Sequence, residues 1–283
     1  MGRWCVGVKL VSVSGKLARG IKKVRHLSQH RDWENYRDLV TVLVQKELKV
    51  RYGNKLLGYL WSIANPLAAA FVYYFAFSVI LKVQIENYVV VVICGLFPWQ
   101  WIGNSVGSAP NMFISNASII KKVSFPTALI PLCTTLNHLI HFVMSLPVIM
   151  LFILLYKLPL HGSWIYGIPL LLLIQLALTY GISLILASIN LFFRDLERLT
   201  GIIMNFIFYF TPVIYTKREI PEQFTKYLVF NPFFYLVSSW RELLLEGTIN
   251  PGHILVSVTY AMLFLVISYW VYRKLSWKFA EVI

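Results

Sequence analysis

Six long stretches of the chain contain no Asp, Glu, Lys or Arg. These uncharged, mostly apolar stretches cover residues 58–81, 88–114, 126–156, 164–193, 199–215 and 254–272. A helix needs about 20 apolar residues to cross the hydrocarbon core of a bilayer. Because backbone polar groups in lipid must be paired within the segment itself, each stretch is expected to be helical. The pattern predicts an all-α polytopic membrane protein with six transmembrane helices in residues 58–283, ending in a short cytosolic tail.

An amphipathic segment precedes the first stretch, at residues 36–52. One face carries Tyr36, Leu39, Val40, Leu43 and Val44, and the opposite face carries Asp38, Thr41, Gln45 and Lys49. A helix with this pattern is expected to lie in the plane of the membrane interface. It is either a passive anchor or a gate helix that moves with the first span, into which it runs. We assign residues 31–57 to this region, and residues 1–30 to a cytosolic extension without an assigned role.

The segment 216–253, between the fifth and sixth stretches, is too long for a simple loop. Its two apolar parts, 227–235 and 236–245, are each too short to span a membrane, and Asn231-Pro232 interrupts the first of them. We predict two short re-entrant or interfacial helices on the external side. Half-inserted backbone of this kind survives only where protein or water covers it, so the segment is expected to line the outer end of a path.

The distribution of basic residues predicts the orientation. If the first stretch enters from the cytosol, 20 of the 26 Lys and Arg residues fall on the cytosolic side. The positive-inside rule then places both termini in the cytosol. The chain is 58% hydrophobic and carries a net charge of +14. Anionic lipid headgroups account for this charge asymmetry, so membrane lipids are predicted as partners and nucleic acid is not.

Several local motifs recur together in one known family. The first span opens with RYGNKLLGYLWSIANP at residues 51–66, after the helical segment 38–49. Further on come Arg194-Asp195-Leu196, and then Asn231-Pro232 followed by Arg241 and Gly247. In combination these motifs resemble the permease subunits of polysaccharide-exporting ABC transporters, which carry O-antigen, teichoic acid or capsule chains.

The resemblance implies an assembly in the bacterial plasma (inner) membrane. Its expected components are a homodimer of this chain, two ATP-binding subunits, and a lipid-linked polysaccharide that passes between the two permease chains. The chain has no GxxxxGK[ST] phosphate loop, so we expect ATP and Mg²⁺ to be bound by the partner and no cofactor by this chain. The spans also lack the carboxylates that ion-coupled carriers use. The chain is therefore predicted not to be an enzyme by itself.

Three groups of residues are candidates for contact with the substrate. Tyr59, Trp61, Trp99 and Tyr209 are candidates for an aromatic path, because an aromatic face offers apolar contact to a sugar without fixed hydrogen-bond demands. Arg51, Tyr52 and Lys55 flank the entry of the first span and are candidates for the phosphate of a lipid carrier. Snorkelling to lipid headgroups is the alternative for the two cations. Asn231, Pro232 and Arg241 are candidates for an external gate.

The turn between the second and third spans is the candidate contact with the ATPase. Exporters of the family that this chain resembles dock short cytosolic helices into a groove of the ATPase. The corresponding residues here are Ser115, Ile119, Ile120, Lys121 and Lys122, together with Arg194 and Asp195 after the fourth span. The alternative is that Lys121 and Lys122 only enforce topology.

Two other functions fit parts of the sequence. A membrane-embedded transferase acting on polyprenyl-linked sugars would use Arg194 to Arg198 as its charged cluster, and an ABC exporter of a small lipid or drug would share the architecture. His138 and His141 lie three residues apart but have no carboxylate or Cys nearby in the sequence to complete a metal site. We therefore predict no catalytic and no metal-binding residues.

Overall fold

The described part of the chain is helical throughout. The computed structural model describes residues 41, 44–45, 58–80, 82, 85–122, 125–216, 220–221, 223, 227–228 and 230–282. All regular secondary structure in these residues is helix, as the uncharged stretches predict. The N-terminal extension 1–30 and nearly all of the interface region 31–57 lie outside the described residues.

Ten α-helices follow one another along the described chain. They are α1 (Gly58–Tyr74), α2 (Tyr88–Ser108), α3 (Met112–Ser115), α4 (Ala117–Lys122), α5 (Leu129–Leu155), α6 (Trp164–Asn190), α7 (Leu196–Phe210), α8 (Pro232–Arg241), α9 (Pro251–Leu275) and α10 (Phe279–Val282). π-Helical turns extend α1 over Phe75–Ile80 and α8 over Glu242–Glu246. Short 3₁₀ segments, Ala109–Asn111 and Ser276–Lys278, join α2 to α3 and α9 to α10.

Within the described residues, four helices are long and apolar enough to cross a membrane. They are Tyr88–Ser115, Leu129–Leu155, Trp164–Asn190 and Pro251–Lys278. The stretch 58–81 contains a shorter apolar helix, Leu67–Ile80, and most of the stretch 199–215 lies in α7. Helix α7 has 15 residues and ends at Phe210, because the next residue, Thr211, is extended with a φ of −102° and a ψ of 137°. The physical reason is Pro212, which disfavours helical backbone in the residue before it.

Helix α2 forms the centre of the bundle. It contacts α1, α5, α6, α7 and α8, and 15 of its 21 residues are buried. A helix that is apolar on every side is expected to be enclosed by others. The ring of Trp101 stacks on Phe142 of α5 at 5.5 Å between centroids, and Phe142 meets Trp240 of α8 at 5.0 Å. These three rings join α2, α5 and α8 in the core.

Helices α6 and α9 form the most extensive helix pair of the bundle. Their backbones approach at Gly181, where an added Cβ would lie 2.9 Å from the carbonyl carbon of Phe264 and 3.0 Å from the nitrogen of Leu265. Small residues permit this close approach in helix pairs within membranes. The last two of the four long apolar helices are therefore packed directly against each other.

A second, smaller hydrophobic cluster closes one end of the bundle. We call it the tail cluster. Its buried residues are Ala109, Met112, Phe113, Ile130, Leu184, Ala187, Leu191 and Phe279. They come from the 3₁₀ segment after α2, from α3, the start of α5, the end of α6 with the residue that follows it, and the C-terminal α10. The starts of α6 and α9 and the end of α8 lie at the opposite end of the bundle, where Trp164 donates to the carbonyl of Leu243.

Candidate functional site

The start of helix α8 is fixed by Asn231 and Pro232. The side-chain oxygen of Asn231 accepts a hydrogen bond from the backbone nitrogen of Phe233 at 3.0 Å, and Pro232 occupies the first helical position. This is the favourable arrangement for a helix N-terminus, because Asn satisfies a free amide and Pro has none to satisfy. The amide of Asn231 also donates to the hydroxyl of Thr211 at 2.8 Å. Asn231 and Pro232 thus begin a helix and tie it to the end of α7.

The end of helix α8 holds the same segment through Arg241. Its guanidinium donates to the carbonyls of Tyr215 (2.7 Å), Pro212 (2.7 Å) and Val213 (2.9 Å). The residue is only 8% exposed. A buried cation needs strong acceptors, and the irregular backbone after α7 supplies carbonyls that no helix uses. Arg241 therefore clamps the segment 211–215 against the bundle.

Helix α2 lies against the other side of this clamp. The hydroxyl of Tyr88 donates to the carbonyl of Ile214 at 2.9 Å. Seven residues further on, Gly95 leaves space for the clamp itself. A Cβ at Gly95 would lie 2.7 Å from the oxygen of Val213 and 2.8 Å from Nη2 of Arg241. The absence of a side chain at Gly95 lets α2, the segment 211–215 and Arg241 meet.

A buried hydrogen-bond bridge crosses three helices beside the clamp. The indole nitrogen of Trp240 donates to the side-chain oxygen of Gln175 at 2.6 Å, and the amide of Gln175 donates to the carbonyl of Pro98 at 3.0 Å. All three groups are buried. Gln175 is not among the residues predicted from the sequence. The available signal was an amide in the middle of a 30-residue uncharged stretch, whose other amide, Asn190, lies near its end; a polar group inside a membrane is retained where it has a partner.

Polar residues also surround the π-helical turn that follows α8. The imidazole Nδ1 of His253, at the start of α9, lies 3.1 Å from the carboxylate of Glu242. Nε2 of His161 lies 3.3 Å from the carbonyl of Leu245. The turn ends at Gly247, whose φ of 66° is the left-handed conformation that stops helices. The region predicted as an external gate is therefore connected to α2, α6 and α9.

The four aromatic candidates differ in their surroundings. Trp99 is 7% exposed and packs on Phe208 and Phe233 at 5.6 and 5.8 Å between ring centroids. Tyr209 is 62% exposed, and its ring lies 5.1 Å from that of Phe208. Phe208 thus contacts both. The side chains of Tyr59 and Trp61 lie outside the described part of the chain, as do Arg51, Tyr52 and Lys55.

The candidate ATPase contact forms a short helical turn at the tail cluster. Ile119 and Ile120 in α4 are partly buried, and Ile120 packs against the tail cluster. Lys121 and Lys122 are exposed at the end of α4. The hydroxyl of Ser115 donates back to the carbonyl of Asn111 at 2.8 Å.

Arg194 and Asp195 lie at the same end of the bundle as α4. Both are exposed and immediately precede α7. Shortly before them, Asn190 at the end of α6 donates to the carbonyl of Pro110 at 2.9 Å. This bond places the end of α6 beside the segment that leads into α3. The two predicted contact segments, α4 and residues 194–195, therefore lie at the same end of the bundle.

The histidines of α5 do not form part of a metal site in the described structure. The rings of His138 and His141 lie 6.3 Å apart. Among the described residues, no three His, Cys, Asp or Glu side chains converge in a way that could hold a metal ion.

The fold and these sites define a multi-pass membrane protein with a buried polar framework and several long apolar helices. Comparison with known proteins gives the family. Residues 38–245 match the family described as ABC-2 type transporter, and the chain belongs to that family. The resemblance carried by residues 51–66 and the later motifs is thereby confirmed. Permeases of this family leave ATP hydrolysis to a separate subunit, in accord with the missing phosphate loop, and membership speaks against the transferase alternative.

Named relatives cover nearly the whole chain. An O-antigen export system permease protein RfbA of Klebsiella pneumoniae is 42% identical over 246 residues, which is 87% of this chain and 95% of the relative. The protein of the same name from Myxococcus xanthus is 32% identical over 84% of this chain and 90% of its own length. The polysialic acid transport protein KpsM of Escherichia coli is 26% identical over 81% of this chain and 88% of its own length.

Proposed function

We propose that this chain is the permease subunit of an ATP-driven exporter that moves a lipid-linked polysaccharide of the O-antigen type from the cytosol across the bacterial inner membrane. The observation that carries the proposal is the 42% identity to an O-antigen export permease over 95% of that protein's length. The relative named for polysialic acid transport is less similar, at 26%. The order of similarity favours an O-antigen over a capsule chain as cargo.

The proposed topology has six spans, with both termini in the cytosol. The four long apolar helices supply four of them. We assign the remaining two to α1 with its π-helical turn, and to α7 with the segment 211–215. The 23 residues from Gly58 to Ile80 would span about 35 Å at 1.5 Å per residue if regular. The charge asymmetry of the sequence supports the cytosolic placement of the α4 end.

The proposed assembly is a homodimer bound to two ATP-binding subunits, with the glycan passing between the two permease chains. The core of the described chain is filled by large side chains, which leaves the outer faces of the bundle for the glycan. Helices α1 and α7 expose large apolar and aromatic side chains: Phe71, Tyr74, Phe206, Tyr209 and Phe210. In this proposal, Tyr209 contacts the glycan directly, and Trp99 supports it from behind through Phe208. Tyr59 and Trp61 complete the aromatic path.

The two ends of the path have separate proposed roles. Arg51, Tyr52 and Lys55 would receive the carrier phosphate at the cytosolic entry, where a guanidinium binds two oxygens at once. At the opposite end, Asn231, Pro232 and Arg241 hold the segment 211–215 and would set the position of the external gate. The clamp and cap described above support this second role. ATP and Mg²⁺ belong to the partner, and α4 with Arg194 and Asp195 would receive its movement.

A complementation experiment tests the function. The chain is expressed together with an ATP-binding subunit of the same family of exporters in a strain that makes O-antigen but lacks its own exporter. Surface O-antigen, detected by antibody on intact cells, is the expected result. The matched control pairs the permease with an ATPase variant whose phosphate-loop lysine is replaced. The proposal is contradicted if the glycan stays inside the cells with the unchanged ATPase as well as with the variant, at equal permease level. That result would favour export of a smaller molecule.

A further inference from the structure

The C-terminal turn of the chain places two neighbouring aromatic residues in opposite environments. Phe279, at the start of α10, is 2% exposed, whereas Trp277 in the preceding 3₁₀ segment is 68% exposed. Lys278 lies over the ring of Trp277, 4.7 Å from its centroid. Trp277 therefore has the environment of a residue at the membrane interface, and Phe279 that of a core residue.

Phe279 contacts the part of the chain that comes just before the α4 turn. Its ring lies 5.0 Å from that of Phe113 in α3. Phe113 is fully buried in the tail cluster and lies four residues before α4 begins. The position of α3, and with it the start of the α4 turn, is therefore set against the C-terminal segment.

The C-terminal segment also contacts the part of the chain that comes just after the α4 turn. The ring of Tyr272, in the last turns of α9, lies 5.9 Å from that of Phe279. The hydroxyl of Tyr272 is 3.0 Å from the hydroxyl of Thr127 and accepts from the backbone nitrogen of Ala128 at 3.4 Å. Residues 127 and 128 lead directly into α5. The C-terminal segment thus contacts the chain both before and after α4.

One side of helix α4 packs against the tail cluster, and its end is exposed. Ile120 packs against the tail cluster, and Lys121 and Lys122 are exposed. A close-packed interior transmits displacement because its side chains have no free volume to absorb it. A push on the exposed side of α4 would therefore reach α2 and α5 through the tail cluster, provided that Phe279 fills it.

We propose that Phe279 is a positioning residue that braces the α4 turn, so that movement of the ATP-binding subunit is passed into the spans instead of being lost within the turn. The inference rests on the proposed function, because it takes α4 as the contact with that subunit. The C-terminal segment itself touches neither the ATPase nor the glycan in this arrangement. Its effect is on the ratio of glycan exported to ATP hydrolysed.

The test compares three variants in the complex with the ATP-binding subunit. Phe279→Ala removes the brace, Phe279→Leu restores most of its volume, and Trp277→Ala changes an exposed aromatic residue of the same turn. Three quantities are measured at equal permease level: copurified ATPase, ATP hydrolysis of the reconstituted complex, and surface O-antigen in cells. For Phe279→Ala we expect an intact complex and retained hydrolysis, with export per ATP lower by about fivefold or more, the lower range of typical coupling between sites.

Phe279→Leu is expected to recover most of the export, and Trp277→Ala to behave as the unchanged chain. Unchanged export per ATP in Phe279→Ala overturns the brace, and so does an equal loss in Trp277→Ala. Loss of the ATPase from the purified complex also overturns it, because the residue would then act on docking. If Phe279→Ala does not accumulate, Tyr272→Phe decides. This change removes the hydroxyl contacts to residues 127 and 128, through which the C-terminal segment holds the chain after α4. Lower export per ATP is then expected, and wild-type export per ATP in both Tyr272→Phe and Phe279→Leu would overturn the inference.

The unchanged chain separates the two hypotheses. If it neither copurifies an ATPase nor exports O-antigen, the proposed function fails. If it does both and the Phe279 variants match it, the brace alone fails.

Discussion

Arg241 shows how a single buried cation can organise an otherwise apolar region. Its planar guanidinium reaches three carbonyls at once, which lie between residues 212 and 215. An ammonium group is a compact charge on a flexible stem and does not present this fork. The geometry therefore requires Arg at this position, and it accounts for the irregular path of the chain after α7.

Replacing Arg241 by Lys is expected to lower the stability of the purified protein. At least one of the three carbonyls would lose its partner, at a cost of about 1–3 kcal/mol for a buried group. The midpoint of thermal unfolding in detergent measures the effect. Lys157→Gln, which changes an exposed cation, serves as the control. Equal midpoints for Arg241→Lys and the unchanged chain would show that the clamp does not stabilise the fold.

Gly95→Ala tests the same clamp from α2. The added Cβ would lie 2.7 Å from the oxygen of Val213, so the segment must shift, with an expected loss of about 1–3 kcal/mol, as is usual for overpacking. Gly107→Ala in the same helix is the matched control, because a Cβ there meets nothing within 4 Å. Its alanine is expected to be neutral or to stabilise α2. If Gly95→Ala and Gly107→Ala unfold at the same temperature, the close approach at Gly95 does not contribute to stability.

At the scale of helices, the packing falls into two kinds. Helices α2 and α6 carry the buried polar bonds and close approaches, through Gly95, Gln175 and Gly181. Helix α4 and the C-terminal segment instead meet through rings and aliphatic side chains in the tail cluster. The first kind fixes distances between helices, and the second is the contact through which the proposed movement of the α4 turn would reach the bundle.

Gln175→Leu is expected to loosen α8 without unfolding the bundle. The indole of Trp240 and the carbonyl of Pro98 both lose a partner, and such bonds within membranes are worth about 0.6–2 kcal/mol. Hydrogen exchange of the α8 amides, measured in detergent or nanodiscs, is expected to become faster. Leu173→Ala is the control on the same helix, since Leu173 is exposed on its outer face. Unchanged exchange in α8 would mean that ring packing alone holds Trp240.

Ile119→Asp is expected to release the ATP-binding subunit. Ile119 is partly buried in this chain and lies beside the exposed end of α4. Placing a charge where a docking anchor packs costs about 2 kcal/mol or more at an interface hot spot. Copurification of the ATPase with the tagged permease measures the effect, and Lys122→Gln is the control. Full copurification with Ile119→Asp would show that α4 is not the contact with the ATPase, and residues 194–198 would be the next candidate. Ile120 is less suitable for this test because it packs against the tail cluster.

At the scale of the whole molecule, the charge asymmetry predicts which end faces the cytosol. Lys121 and Arg273 are expected inside and Lys157 outside. The test replaces the three native cysteines, introduces one Cys at each position in turn, and labels intact cells with an impermeant maleimide. Labelling is expected at position 157 alone, with positions 121 and 273 reacting only after permeabilisation. Labelling of 121 and 157 from the same side would contradict the topology.

The long spans could be predicted from sequence because their signal is local. The stretch 164–193 corresponds to Trp164–Asn190, and 126–156 to Leu129–Leu155. The contacts of the candidate sites are not local. Gln175 meets groups 65 and 77 residues away along the chain, and no periodicity contains that information. Uniformly apolar helices also conceal which face is enclosed, so the sequence could not separate buried Trp99 from exposed Tyr209.

The sparse packing of α7 has a consequence for how exporters of this kind diversify. All 15 residues of the helix are described, and Thr200 alone among them is buried. Substitutions on exposed surfaces usually change folding free energy by less than about 0.5 kcal/mol. Positions such as Ile203, Phe206 and Tyr209 are therefore free to vary as the cargo changes. We expect relatives adapted to different sugars to diverge at this helix first, while the clamp around Arg241 stays the same.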